Sequence, residues 1–172
     1  MKRAHVARYR WAAERVSGVV LDLACGWGMG TTILKDGGAT SVLGVDADCE
    51  AIDYANSRTT DREHVQFLCT GLDRWRPPGC DWVVTLETIE HVENPGKLLR
   101  RWAEAARVGL IVSFPARKSV RQNQFHLHDI GVEEVDEWFE GRARRNGDAM
   151  TLFSREDGKS IPVTRIAEYR TT

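Results

Sequence analysis

Val19-Val20-Leu21-Asp22-Leu23-Ala24-Cys25-Gly26-Trp27-Gly28-Met29-Gly30 is the stretch on which the reading of this chain turns. An apolar run carrying one acid makes a short buried strand, and glycine then recurs at every second position. A helix pattern opens behind it at Thr31-Thr32-Ile33-Leu34. Glycine has no Cβ, so a strand, glycine turn and helix in succession bring bare backbone against a nucleotide-like ligand. The spacing is G-x-G-x-G at Gly26, Gly28 and Gly30. A dinucleotide fingerprint sets its third glycine one residue later, where this chain has Thr31. The next acid at a strand tip is Asp46, closing Ser41-Val42-Leu43-Gly44-Val45-Asp46. From that position a carboxylate accepts hydrogen bonds from ribose hydroxyls.

Outward from this unit, strands and helices alternate. The pattern predicts a helix over 6–16, with Tyr9, Ala12, Ala13 and Val16 on one side. It predicts a strand over 19–23, a helix over 29–35 ended by Gly37-Gly38, and a strand over 42–46. Asp48 caps a helix over 50–58 to which Ala51, Ile52, Tyr54 and Ala55 give apolar contacts. Strands over 65–69 and 81–86 follow, the second a near-continuous apolar run suited to a parallel strand covered on both faces. Pro95 opens a helix over 96–108, and a strand over 110–114 stops at Pro115. A helix over 132–139 precedes two β-like segments, 150–154 and 163–169, read as an antiparallel hairpin at the sheet edge. The expectation is an α/β fold: one domain over 1–172, an open, mostly parallel sheet with helices on both faces. Ligands of such sheets bind beyond the carboxyl ends of the strands, at the switch point. The glycine turn, Asp46, the segment after Cys69 and Glu87 all fall there.

The bulk numbers narrow the function classes. At 172 residues, 28% charged and 42% hydrophobic, the chain has globular composition and can bury one core. A net charge of −1 provides no general attraction to nucleic acid or to a membrane surface. No apolar run approaches the roughly 20 residues of a spanning helix. Met1-Lys2-Arg3-Ala4-His5 leads into mixed polar sequence, so a cytoplasmic protein with no membrane partner is expected. The four cysteines, at 25, 49, 69 and 80, include no C-x-x-C pair. Their spacing predicts reduced, mostly buried thiols in preference to a disulfide frame or a zinc site. Cys25 reads as small-residue packing, Trp82 and Trp138 as core, and Trp27 as a ligand contact.

Thr85-Leu86-Glu87-Thr88-Ile89-Glu90-His91-Val92-Glu93-Asn94-Pro95 carries the second constellation. Glu87, Glu90 and His91 make E-x-x-E-H, and on a helical turn positions i, i+3 and i+4 share a face. Two carboxylates and an imidazole then converge. Three readings stay open: a divalent cation site, His91 as a general base, or a structural role in which Glu87 caps a helix and Glu90 pairs with an arginine.

In this order the glycine turn, Asp46 and E-x-x-E-H resemble the class I, Rossmann-like S-adenosylmethionine-dependent methyltransferases over residues 5 to 140. Within them the second motif is similar to the branch holding ubiquinone-biosynthesis O-methyltransferases and small-RNA 2′-O-methyltransferases. The resemblance implies a Rossmann-like sheet and S-adenosylmethionine as cofactor. It implies that Ala24, Gly26, Trp27, Gly28 and Gly30 wrap the methionine and ribose parts, with Leu86 in the same cofactor-facing set. Asp22 would orient the loop or meet the cofactor amino group through water, and Asp46 would take the ribose hydroxyls. The family pattern begins acidic-x-G-x-G-x-G, so Ala24 replaces the first glycine, which suits a negative φ at that position. Where relatives often carry an acid for the adenine amine, this chain has Thr70 or Gly71, and Asp73 lies further on. Backbone near Gly71 and Leu72 would serve instead, with Ala47 and Leu72 sandwiching the ring. Arg8-Tyr9 resembles an R-Y motif that closes over the cofactor or its carboxylate; alternatively Tyr9 is the inward face of the first helix.

In the RNA-modifying branch a further histidine after strand five completes a metal site. His126 of Gln124-Phe125-His126-Leu127-His128-Asp129 is the better match, and His128 is the alternative if the segment is extended. The implied Mg²⁺ or Mn²⁺ ligands are Glu87, Glu90, His91 and His126. Glu87, Glu90 and His91 are also the candidate catalytic residues.

Methyl transfer is an in-line displacement at a sulfonium carbon, and an alcohol or phenol must also lose a proton. The E-x-x-E-H segment therefore favours an oxygen acceptor: a small-molecule, sugar or natural-product hydroxyl ahead of a small-RNA 3′ end. Nucleic acid is disfavoured by the neutral charge. Arg117-Lys118 with Arg121, and Arg142 with Arg144-Arg145, read either as solvated surface or as a grip on an acceptor anion. A non-catalytic cofactor-binding partner subunit and a nicotinamide oxidoreductase are the competing classes. Monomer and homodimer both stay open, since a minimal acceptor lid is either sufficient or completed by a second subunit.

Overall fold

The computed structural model describes residues 3–121, 123–156 and 159–172. Its strands are β1 (Gly18–Leu23), β2 (Ala39–Asp46), β3 (Val65–Cys69), β4 (Cys80–Leu86), β5 (Ala106–Pro115), β6 (Ala143–Arg145), β7 (Met150–Glu156) and β8 (Lys159–Thr171). The helices are α1 (Arg3–Ala13), α2 (Met29–Asp36), α3 (Cys49–Arg58), α4 (Pro95–Ala105) and α5 (Val132–Trp138). The strands join in one sheet of order β3-β2-β1-β4-β5-β8-β6, with β7 also on β8. β1 to β5 run parallel; β8 is antiparallel to β5, β6 and β7.

Side chains alternate across a strand, so β1 divides its residues between two cores. Leu21 and Leu23 join Leu98, Leu99 and Trp102 of α4, with Val135 of α5. Val20 joins Tyr9 and Ala12 of α1 and Leu34 of α2. Burying such side chains stabilises the fold by about 1.5–3 kcal/mol each. The chain runs outward from β1 to β2 and β3, then returns to β4 on the other side of β1. Leu23 is in register with Thr85. The turns that follow β1 and β4 therefore leave the sheet side by side, and this is the crevice of the topological switch.

Several boundaries differ from the sequence pattern. α1 spans Arg3–Ala13 because Val16, which the periodicity counted as helical, is buried from the turn that leads into β1. α4 ends at Ala105, and Ala106 to Gly109 belong to β5. There the ladders to β4 and β8 override the helical tendency of the alanines. The C-terminal hairpin forms, but β8 lies inside the sheet against β5, and β6, which the pattern missed, pairs with its last turn of residues. Asp48 caps α3 as expected, its carboxylate accepting from the backbone N–H of Glu50 and Ala51. Tyr54 is exposed and meets Trp27 edge-on at 5.0 Å instead of packing inward.

The cysteines correct an expectation. Cys25 and Cys80 are free and buried, but Cys49 and Cys69 form a disulfide. Cys69 is in register with Asp46, and Cys49 opens the helix that follows Asp46, so the two Cα atoms stand 5.2 Å apart. A separation of 20 residues hid that proximity. Among the described residues no helix is long and apolar enough to cross a membrane.

Candidate active site

The turn after β1 is held from behind. Alternation directs Asp22 to the face covered by α1 and α2, where it is fully buried. The Tyr9 hydroxyl donates to its Oδ1 (3.0 Å) and the Thr31 hydroxyl to its Oδ2 (2.7 Å). Burial pushes the Asp22 carboxyl up to about 6 against the pull of those two bonds. Tyr9 is 1% exposed, beneath Gly30, so both residues set the turn without facing the crevice.

Ala24 has φ 60, not the negative value that alanine suggested. A left-handed alanine costs about 1–2 kcal/mol, and the surrounding ladder imposes it. The Cys25 N–H donates to Val45 O (3.1 Å) and the Gly26 N–H to Asp46 Oδ2 (2.8 Å). Gly28 has φ 79, and a Cβ there would lie 2.7 Å from that of Ala55. Gly26 has φ 52 with open space on its side-chain face, which leaves bare backbone toward the crevice. Trp27 stands 59% exposed at the lip.

Asp46 ends β2 half-buried. Its Oδ1 accepts from the Asp48 N–H (2.9 Å) and its Oδ2 from Gly26, and each oxygen keeps a further lone pair. The Thr70 N–H donates to Asp46 O (2.8 Å), drawing the segment after β3 alongside. Ala47 and Gly71 are exposed and Leu72 half-buried. Arg101 of α4 holds this segment through the carbonyls of Leu72, Asp73 and Trp75 (3.4, 2.7 and 3.2 Å). The sequence carried no signal for Arg101.

Across the crevice, β4 ends at buried Leu86, and Glu87 follows with φ 56. Its N–H reaches both the carbonyl and the hydroxyl of Ser113 (3.1 Å each), and the Ser113 hydroxyl donates to Glu87 Oε1 (3.1 Å). Arg8 is buried nearby and donates from Nη1 to the Thr164 hydroxyl (2.9 Å). Burial raises the Glu87 carboxyl, opposed by the Arg8 charge. A fully buried serine inside an apolar strand was the one available sign of Ser113.

Glu90 lies in a 3₁₀ turn, Ile89–His91, and is 1% exposed. Its Oε2 has no hydrogen-bond partner among the described residues. Burial, with the Glu87 charge adding to it, pushes the Glu90 carboxyl up to about 8. His91 sets Nε2 3.9 Å from Glu90 Oε1, while its Nδ1 meets the Phe125 carbonyl (2.9 Å). The His126 ring stands edge-on to His91 with centroids 4.6 Å apart, its Nδ1 on the Ser119 hydroxyl (2.6 Å). Burial and the neighbouring His91 hold His126 below the usual imidazole range. Ligand atoms of Glu90, His91 and His126 all fall within 4.8 Å of one another.

Two expected members are not in that group. Glu87 precedes the turn with its left-handed φ and faces Ser113, and the turn is 3₁₀, so the α-helical i, i+3, i+4 face does not form. His128 turns its Nε2 to the Val92 carbonyl (2.9 Å). Of the basic clusters, Arg142 pairs with Glu104 and Arg145 with Asp136, whereas Arg117, Lys118, Arg121 and Arg144 are exposed.

The profile of the family described as "Methyltransferase domain" matches residues 20–109. Over 137 residues the chain is 32% identical to the ubiquinone biosynthesis O-methyltransferase of Pseudomonas entomophila (strain L48), covering 74% of this chain and 57% of that protein. It thus spans little more than half the length of that curated relative. The fold matches magnesium protoporphyrin IX methyltransferase from Synechocystis PCC 6803 with bound S-adenosylhomocysteine at TM-score 0.73 and 18% identity, over 98% of this chain and 81% of that one. It matches the N-methyltransferase NodS from Bradyrhizobium japonicum WM9, also with S-adenosylhomocysteine, at TM-score 0.74 and 17% identity, over 98% and 84%. At such identities the two structures speak to fold alone. The profile match runs from β1 into β5, over more than half of the chain, and the protein belongs to the methyltransferase-domain family, with a Rossmann-like fold.

Proposed function

We propose that this chain binds S-adenosylmethionine across the ends of β1 and β2 and transfers its methyl group to a hydroxyl of a small molecule. The observation that carries the reading is the register of Leu23 with Thr85, by which the glycine turn and the Glu87–His91 segment open onto one crevice. Asp46 accepts the ribose hydroxyls in charge-assisted bonds, already oriented by two backbone donors. The open face of Gly26 admits the cofactor, and Ala47, Gly71 and Leu72 border the adenine. Displacement at the sulfonium carbon asks the protein chiefly to align the reactants and exclude water.

Glu90, His91 and His126 would hold a divalent cation. The donor set fits one: a buried carboxylate with a bare oxygen, and two imidazoles whose Nδ1 atoms are taken by a carbonyl and a hydroxyl. Two imidazoles suit Mn²⁺ better than Mg²⁺. When bound, such an ion polarises an acceptor oxygen. A second reading uses the same atom without metal. In neutral His91 a proton donated from Nδ1 to Phe125 O leaves Nε2 free to take the acceptor proton.

His126→Ala separates the two. Under the cation reading it removes both turnover and the rise in melting temperature that Mn²⁺ produces in the parent. Under the base reading turnover survives His126→Ala and chelator but not His91→Ala. A small-RNA acceptor is the alternative substrate class. The net charge of −1 and the pairing of Arg142 and Arg145 support the small molecule, and methyl transfer to a 2′-hydroxyl of RNA in preference to small phenols and alcohols would reverse that choice. Failure to bind S-adenosylhomocysteine at millimolar concentration would end the methyltransferase reading.

A further inference from the structure

We propose that the Cys49–Cys69 pair is a thiol-exchange site that sets how tightly the adenosyl crevice holds its ligand. The affinity part rests on the cofactor reading above; the exchange site rests on geometry alone. Cys49 is exposed at the first position of α3, and Cys69 is half-buried at the end of β3. Between them stands Asp46: Cys69 is its register partner, the Thr70 N–H donates to its carbonyl, and the Asp48 N–H donates to its carboxylate. The disulfide therefore closes a covalent loop over residues 49–69 and ties the end of the turn 46–49 to the start of the segment 70–72. Those are the two stretches that border ribose and adenine.

Of the connections drawing these stretches together, the hydrogen bonds are reversible on fast timescales, and the sulfur bridge is the one that chemistry can switch. Oxidised, it keeps both walls preassembled, so binding need not order them. Reduced, it leaves the solvent-facing turn joined to the segment with exposed Gly71 by the Thr70–Asp46 hydrogen bond, while Arg101 still holds that segment from the α4 side. The reaction is balanced by an external dithiol. Its thiolate attacks the exposed Cys49 sulfur and Cys69 leaves as a thiolate; the second thiol then releases Cys49. The protein gains two electrons and two protons, and the dithiol becomes a cyclic disulfide. In reverse, the Cys49 thiolate attacks a small disulfide such as oxidised glutathione, and Cys69 resolves the mixed disulfide. Buried Cys25 and Cys80 take no part.

The test uses the full chain, poised with oxidised glutathione or with excess dithiothreitol. Thiol alkylation after denaturation counts the states: two groups added in the oxidised protein, for Cys25 and Cys80, and four in the reduced. Calorimetric titration with S-adenosylhomocysteine is expected to give a Kd about fivefold or more weaker after reduction, within the usual range of coupling between sites. Cys49→Ser and Cys69→Ser should match the reduced value and ignore redox poise. Hydrogen exchange in the ligand-free protein should quicken at 47–51 and 70–72 on reduction and stay unchanged in α4. Four alkylated thiols in glutathione-oxidised protein would overturn the exchange site. Equal Kd values in verified oxidised and reduced samples would overturn its control of binding. Where neither state binds S-adenosylhomocysteine, the cofactor reading fails and exchange decides alone: faster exchange on reduction sustains the clamp, and equal exchange refutes it.

Discussion

Asp46 and Glu90 lie beyond the carboxyl ends of two parallel strands, β2 and β4, on either side of β1, and the fold treats them in opposite ways. Asp46 is half-exposed and takes a backbone N–H on each oxygen. Glu90 is buried, with one oxygen bare and two imidazoles at hand. The strain is arranged alongside: Ala24 and Glu87, the non-glycine residues at positive φ among the described residues, mark the two lips. On the β1–β2 side the left-handed turn serves a network whose polar groups are already satisfied. On the β4 side it aims Glu87 at Ser113 and leaves Glu90 with an unmet electrostatic demand. A finished wall suits a ligand that is the same in every turnover, and an unfinished one suits the part of the site that changes charge during reaction. Unpartnered buried carboxyls are costly, so their persistence at a strand-end cleft points to use.

The comparison breaks first at His91. His91→Ala should lower turnover by about 10²–10⁴-fold, the usual contribution of a positioned proton-transfer group, with S-adenosylhomocysteine affinity unchanged by calorimetry. Loss of affinity instead would mean that the two sides do not divide the work. Next comes pH. The Asp22 carboxyl sits at about 6 in the folded protein against 3.8 for an ordinary aspartate. Its raised value means that the native state holds the proton more firmly, so this group lowers stability as pH climbs from 3.8 toward 6. Urea unfolding of Asp22→Asn relative to the parent should therefore show a difference that grows by about 2 kcal/mol in the variant's favour between pH 4 and 7. A flat difference would remove the burial penalty from the glycine-turn side.

Smaller effects sharpen the contrast. Asp46→Ala should weaken S-adenosylhomocysteine binding by about 1–3 kcal/mol, the worth of a hydrogen bond to a charged group. Undiminished binding would refute the ribose role. The smallest change is Ala24→Gly, which should stabilise the protein by about 0.5–1 kcal/mol in thermal unfolding, since relief of the left-handed alanine outweighs glycine's added chain entropy. Destabilisation there would show that the turn does not need its positive φ.

The strand–turn–helix unit, Asp46 at its strand tip, the Asp48 cap and the near-continuous apolar β4 were legible because each depends on neighbours within a turn or two of the chain. The alternation of apolar segments with glycine and proline punctuation was enough to place the parallel strands along the chain, though not their order across the sheet. Other features were not. The sign of φ at Ala24, the orientation of Glu87, and the turning away of His128 depend on which carbonyl or hydroxyl lies across the sheet. Those partners come from distant segments: Val45 and Asp46 for the glycine turn, Ser113 for Glu87, Val92 for His128.

What this chain's sequence determined by itself was the class of fold, the sheet rim that carries the glycine turn and Asp46, and the side chains available there, since burial patterning and glycine spacing act locally. Tertiary structure alone decided which of those side chains meet. Strand register brought Cys69 to Cys49, and packing carried Arg8 to Thr164 across 156 positions. Packing also joined Glu90 and His91 to His126 while leaving Glu87 out. Such pairings are settled by long-range ladder register and core packing, which no short window of residues encodes.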